Sequence, residues 1–274
     1  MLHLKNLWSL LLFILCFSFV ISCKSDDNNG ERSAADTLGN DSILLAGGDS
    51  ASLDSVRFGF QNILDSVYQR APKNVMTALL AGHTRYVRDS AFVYRSSEDI
   101  PDSLARKRPY LIVTDIDLQQ SPEKIFDLRR TMFMQLSVPA CLIDLKQIAV
   151  MEYAVQYSGA KVIIVMANSN SRIIGAACDN VQTGSFSNIT TQLARAMKTT
   201  GEFADRSSVN KDYVNNIAQN QAGLSINQIL AQSPQIKMLA DSGKVILKSA
   251  FFDAAKGSVV FSEQNSALNS LTKN

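Results

Sequence analysis

The sequence predicts an α/β fold: a central, mainly parallel β-sheet flanked by helices. Three observations carry the prediction. Short, uninterrupted apolar runs recur along the chain, as in Val162-Ile163-Ile164-Val165-Met166. Stretches with helical spacing of apolar residues separate them. The two kinds of segment alternate at intervals typical of βα units. Strands that are apolar on both sides need cover on both sheet faces, which is the parallel arrangement.

Taken in order, the first helical stripe is Val56, Phe58, Phe60, Ile63, Leu64 and Val67. A second follows Pro72, with Val75, Leu79, Leu80, Tyr86 and Val87. Tyr110-Leu111-Ile112-Val113 reads as the first strand, and Met132-Phe133-Met134 with Leu136 as the second. Leu145 to Tyr157 has helical periodicity and leads to the third strand, Val162 to Met166. Helical patterns then cover Ile173 to Cys178, Ile189 to Met197, and a long stretch from Val209 to Leu230. Val245-Ile246-Leu247 and Val259-Val260-Phe261 close the series as strands.

The amino terminus reads differently. Lys5 supplies a short positive region before a nearly continuous apolar run from Leu7 to Ile21. A bilayer span needs about 20 such residues, so this run fits the core of a signal peptide instead. It ends at Ser22-Cys23, followed at once by Lys24-Ser25-Asp26-Asp27. A small residue directly before a cysteine resembles the lipobox of bacterial lipoproteins, which implies cleavage before Cys23 and acylation of its thiol. A diacylglyceryl group plus an N-acyl chain would make the anchor firm, because stable anchoring takes more than one chain. Lys24-Ser25-Asp26-Asp27 also resembles the short signals that carry Bacteroidota lipoproteins to the cell exterior. The expected partner is therefore a membrane, and the expected location the outer membrane of the cell envelope, with its periplasmic and external faces both open. Residues 1–22 are assigned to the signal peptide and 23–55 to the lipidated cysteine and a flexible tether rich in Asp, Asn, Ser and Gly. Residues 56–262 form the folded domain and 263–274 a tail.

Composition narrows the function. The formal net charge is +2 and no basic stripe occurs, so nucleic-acid binding is excluded as an expectation. Without the signal, about 250 residues remain, enough for one substantial domain. Of the four cysteines, Cys16 leaves with the signal and Cys23 takes the lipid. Cys141 and Cys178 are expected as two buried free thiols.

Six segments then resemble one family. Leu79-Leu80-Ala81-Gly82-His83-Thr84-Arg85-Tyr86-Val87 resembles the Leu-x-x-Gly-Asn-x-Arg-Phe-Val helix that opens β-carbonic anhydrases. Pro109 to Thr114 fits that family's first core strand, and Ser121-Pro122-Glu123-Lys124-Ile125-Phe126 its Pro-x-Glu-x-Ile-Phe segment. Ile148 to Val155 resembles the Ser-x-x-Tyr-Ala-Val helix. Lys161 to Met166 precedes Asn168-Ser169-Asn170-Ser171, where the family has His-x-x-Cys. Ala250 to Gly257 resembles the Gly-x-x-Tyr-Asp-x-x-Thr-Gly close. The resemblance implies the family's fold and self-association as a dimer or larger assembly.

It does not carry over the chemistry. The family's zinc takes two thiolates and an imidazole, from Cys-x-Asp-x-Arg and His-x-x-Cys. On this chain the first cysteine position is Asp115, the aspartate is kept as Asp117, and the arginine position is Gln119. The histidine position is Asn168 and the second cysteine position Ser171. Amide and hydroxyl groups bind Zn²⁺ poorly, and without zinc nothing here lowers the pKa of a water toward neutrality. Zinc is therefore expected to be absent, with no catalytic residue assigned. An oxygen-only cluster of Asp115, Asp117, Asn168 and Ser171 would suit a hard cation only weakly, and a collapsed, hydrogen-bonded pocket is the expectation. His83 is expected to pack or cap, not to join Cys141 and Cys178 in a relocated site, and Asp253 to serve a turn. Three functions compete. One is a non-catalytic lipoprotein with a binding or assembly role for a ligand the sequence does not name. The alternatives are a carbonate dehydratase with a rearranged metal site and a nutrient-binding surface lipoprotein.

Overall fold

A computed structural model describes residues 70–91 and 107–262. The signal peptide, Cys23, the tether, the 56–67 stripe and the 263–274 tail all lie outside the described residues.

Among the described residues five strands form one sheet. They are β1 (Tyr110–Asp115), β2 (Phe133–Val138), β3 (Val162–Asn168), β4 (Ile246–Asp253) and β5 (Ser258–Phe261), in the order β2-β1-β3-β4-β5. The first four run parallel, and β5 turns back antiparallel against β4. Among the described residues seven helices accompany them: α1 (Pro72–Val87), α2 (Pro122–Ile125), α3 (Leu145–Gln156), α4 (Arg172–Cys178), α5 (Phe186–Thr199), α6 (Lys211–Gln232) and α7 (Pro234–Asp241). Short 3₁₀ turns at Arg130–Met132 and Pro139–Cys141 flank β2.

Every residue of β1 and β3 is buried, so the unbroken apolar runs report cover on both faces. Leu111, Val113, Ile163 and Val165 face one core, with Ile148 and Met151 of α3, Ile174 of α4, and Val214 and Ile217 of α6. Tyr110, Ile112, Ile164 and Met166 face the other, against Val75 and Leu79 of α1 and against Ile125 and Phe126. The Tyr110 hydroxyl donates to the Val75 carbonyl at 3.0 Å, which satisfies a buried polar group and ties α1 to β1.

The helix starts follow from local chemistry. Asp144 caps α3 in a reciprocal box with Gln147. Asn210 caps α6 through Tyr213 N–H, and Ser233 caps α7 through Ile236 N–H, with Pro234 in the first turn. Gly82 answers to packing. A Cβ there would stand 2.0 Å from the Phe126 carbonyl oxygen, so only glycine lets α1 approach this closely.

The structure departs from the sequence reading at four points. Met132 belongs to the 3₁₀ turn, and β2 begins at Phe133. β4 leaves out Val245, begins at Ile246 and reaches Asp253, which accepts from Ala255 and Lys256 N–H in the turn to β5. α7 follows α6 as a separate helix that the periodicity did not mark. Cys141 is buried, but Cys178 is only half-buried because it lies at the end of α4; both are free thiols.

Candidate functional site

The sheet order places the C-terminal ends of β1 and β3 side by side, and this brings together the positions singled out in the sequence. Asp115 ends β1 with 2% exposure. One carboxylate oxygen accepts the Ser171 hydroxyl at 2.6 Å. The other accepts Ala140 N–H at 2.9 Å and Asp117 N–H at 3.5 Å. Ser171 Oγ also accepts Ile174 N–H at 3.4 Å, capping α4. Burial raises the Asp115 pKa above its ordinary value; the Ser171 and Ala140 hydrogen bonds oppose that rise and the Asp117 charge adds to it.

A bend in the backbone makes the Ala140 contact. Ala140 and Cys141 both occupy the left-handed region, with φ of 49° and 57°. The bend is held from α6, where Ser225 Oγ donates to the Cys141 carbonyl at 2.7 Å and itself accepts from Gln221 at 3.0 Å. The Cys141 thiol donates to the Met166 carbonyl at 3.3 Å. Burial first, and the Asp115 charge second, push this thiol well above the ordinary cysteine range.

Asp117 closes the other side. One oxygen accepts Arg172 and Ile173 N–H at 2.8 and 3.1 Å. Its other oxygen accepts Arg172 Nε at 3.3 Å and lies 3.2 Å from Nη2. The aspartate thus has an arginine partner after all, supplied by the residue following Ser171, while Gln119 is exposed. A search of the motif at its usual position does not find Arg172; its place at the start of α4 is the signal that would.

Asn168 stands apart from this network. It ends β3 with 5% exposure, and its amide donates to the Ser169 carbonyl at 3.1 Å. Its Oδ1 is buried without a hydrogen-bond partner among the described residues. His83 lies against the opposite core. Its Nδ1 bonds the Ile125 carbonyl and its Nε2 accepts Val259 N–H, both at 2.9 Å, which fixes the tautomer with the proton on Nδ1. With both ring nitrogens used there, His83 does not meet Cys141 or Cys178, whose side chains pack on the other face.

This donor set does not fit the zinc of the resembled family. A carboxylate, a hydroxyl whose proton is already committed, and an amide replace two thiolates and an imidazole. Among the described residues, no group of three or more His, Cys, Asp or Glu side chains is placed to hold a metal ion. The arrangement ties β1, the Pro139–Cys141 turn and the start of α4 together.

The comparisons agree with the fold. Residues 110–259, more than half of the chain, match the carbonic anhydrase family model. Three solved structures are similar. A tetrameric β-carbonic anhydrase from Sordaria macrospora is 20% identical, with TM-score 0.51, over 56% of this chain and 80% of its own. A β-carbonic anhydrase of Aspergillus fumigatus is 16% identical, with TM-score 0.50, over 60% and 80%. The Coccomyxa β-carbonic anhydrase solved with acetazolamide is 15% identical, with TM-score 0.50, over 78% and 86%. At these identities the likeness is one of fold. No curated protein matches the chain.

Proposed function

The chain belongs to the carbonic anhydrase family, and from that premise we propose that it is a non-catalytic member with a binding or assembly role, anchored in the cell envelope through acylated Cys23. One observation carries the first half of this reading. Asp115 and Ser171, at the positions of the two zinc thiolates, are hydrogen-bonded to each other at 2.6 Å. Both are then completed by backbone N–H groups, from Ala140 and Ile174. A carboxylate and a hydroxyl already engaged with each other and with backbone N–H groups offer neither thiolate nor imidazole to a borderline cation, and nothing beside them would ionise a water near neutral pH. The anchor is supported by the apolar run ending at Ser22-Cys23 and the polar stretch that follows. Self-association as a dimer belongs to the same proposal.

A second reading, a carbonate dehydratase with a rearranged metal site, has one observation in its favour. The Asp117–Arg172 pair keeps an aspartate–arginine couple at the mouth of the site, although its arginine has moved. Metal analysis of the purified protein, paired with a CO₂ hydration assay, separates the two. The expected result is substoichiometric zinc, before and after incubation with zinc salt, and no rate above buffer. Stoichiometric zinc with turnover that a chelator abolishes would overturn the non-catalytic reading.

A further inference from the structure

A three-residue pattern recurs in this chain. Asp36-Thr37-Leu38, Asp41-Ser42-Ile43, Asp49-Ser50-Ala51, Asp54-Ser55-Val56, Asp65-Ser66-Val67, Asp89-Ser90-Ala91 and Asp102-Ser103-Leu104 all read acidic, hydroxyl, aliphatic. They use seven of the eight aspartates between residues 36 and 104. Nine aspartates follow residue 104, and only Asp241 among them has a hydroxyl residue next, with Gly243 after Ser242. The copies begin 5, 8, 5, 11, 24 and 13 residues apart. A structural repeat keeps a fixed period, and so does one face of a helix or strand; these intervals fit neither. What the copies share is local, which is the form of a signal read three residues at a time.

One copy lies among the described residues. Asp89 and Ser90 follow the end of α1, Asp89 with φ of 52°, and Asp89, Ser90 and Ala91 are all exposed. Ser90 Oγ donates to the Arg85 carbonyl at 3.2 Å, which uses its proton and not its lone pairs. Asp241-Ser242 supplies the comparison. It ends α7 in a similar way, exposed, with Ser242 Oγ donating to the Leu239 carbonyl at 3.2 Å. A helix-ending turn therefore needs only Asp-Ser. The aliphatic third residue of the seven copies answers to something else, and at exposed Ala91 that is not the core.

We propose that Asp89-Ser90-Ala91 is an acceptor triplet for O-linked glycosylation, with the sugar on Ser90 Oγ. The hydroxyl is the nucleophile, and the Asp89 carboxylate and the Ala91 methyl are what a transferase reads beside it. The donor is a lipid-linked glycosyl diphosphate. The bond from Ser90 Oγ to the sugar C1 forms as the bond from C1 to the diphosphate oxygen breaks. The lipid diphosphate leaves, and the hydroxyl proton passes to the transferase. The choice of a sugar rests on the reading of this chain as exported, since phosphoryl transfer draws on nucleoside triphosphate and lipid-linked sugars are donors of the envelope. A sugar is bulky and solubilising and belongs on the surface, where Ser90 lies.

The full chain, purified from the envelope of its own bacterium and digested with trypsin, tests this. Cleavage after Arg88 and Arg95 gives a peptide in which Ser90 is the only serine or threonine, and cleavage after Lys237 and Lys244 gives one that holds only Ser242. Mass spectrometry should find the mass of one or more sugar residues on Ser90, removed by mild alkali, and a bare Ser242. Asp89→Asn keeps a residue suited to the left-handed backbone and should leave Ser90 bare, whereas Ser90→Thr should keep the sugar. A bare Ser90 in wild type, a phosphate in place of the sugar, an equally modified Ser242, or a sugar that persists in Asp89→Asn each overturns the proposal. The intact mass of the same sample shows separately whether residues 1–22 have been removed. A bare Ser90 on a processed chain sinks glycosylation and leaves export standing; on an unprocessed chain it sinks both.

Discussion

Asp115 shows how one substitution alters what a site can be. A thiolate in its place would be a soft ligand, whereas the carboxylate ends as a buried acceptor of three hydrogen bonds. Its burial has a measurable sign. The folded state holds the Asp115 proton more tightly than the unfolded chain does, because the pKa is raised on folding. The stability this contributes is therefore greatest in acid and falls as pH rises from the ordinary carboxylate value through the folded one, then levels off. Asp115→Asn removes that dependence while keeping an acceptor for Ala140 N–H. Denaturant unfolding between pH 4 and pH 8 should show wild type losing ground to Asp115→Asn as pH rises. A difference that is flat with pH would sink the buried-carboxyl account. The replaced ligand itself was legible in the sequence from its distance to Pro122-Glu123. Its bond to Ser171, 56 residues away, was not, because it depends on how β1 and β3 align. Arg172 was hidden for a related reason: motif reading looks for the arginine two residues after the aspartate, in the turn that follows β1, and here it comes from the start of α4.

Among the elements, α1 depends most on a single small residue. Gly82 allows the Phe126 carbonyl to come within 2.0 Å of where a Cβ would sit, while Arg85 on the next turn pairs with Asp127. Alanine favours a helix over glycine by about 1 kcal/mol, but overpacking against rigid backbone costs more, typically 1–3 kcal/mol and higher where nothing can yield. Gly82→Ala should therefore destabilise by about 2 kcal/mol, lowering the melting temperature by about 6 °C for a domain of this size. A calorimetric melt at or above wild type would show that α1 shifts freely, and the close approach would lose its significance. Elements with one strong pattern were readable: β1 and β3 from unbroken apolar runs, α3 from its period and its Asp144 cap. β4 was only half readable because Lys248 and Ser249 interrupt it. The polar residues are tolerated there because β5 is short and pairs only with the stretch from Ala250 to Asp253. α7 announces itself by Ser233-Pro234, a cap and first-turn pair that apolar periodicity does not register.

For the whole molecule, the order β2-β1-β3-β4-β5 followed from alternating strands and helices only as far as fold class; the antiparallel return of β5 needed the turn at residues 254–257. The lipid proposal also belongs at this scale, since it decides where the entire domain works. Bacteria producing the chain and fed an alkyne-tagged palmitate should label it, and Cys23→Ala should abolish the label and release the protein from the membrane fraction. Label retained by Cys23→Ala, or membrane association without label, would refute acylation at Cys23. The His83 imidazole, finally, has a consequence for growth beyond the single chain. A terminal strand with free N–H groups is a template on which another chain can crystallise its own backbone. Here the ring nitrogen of a helix side chain occupies the Val259 donor on a strand only four residues long. Among the described residues, that donor of β5 is thus already filled from within the chain and is not offered to the backbone of another.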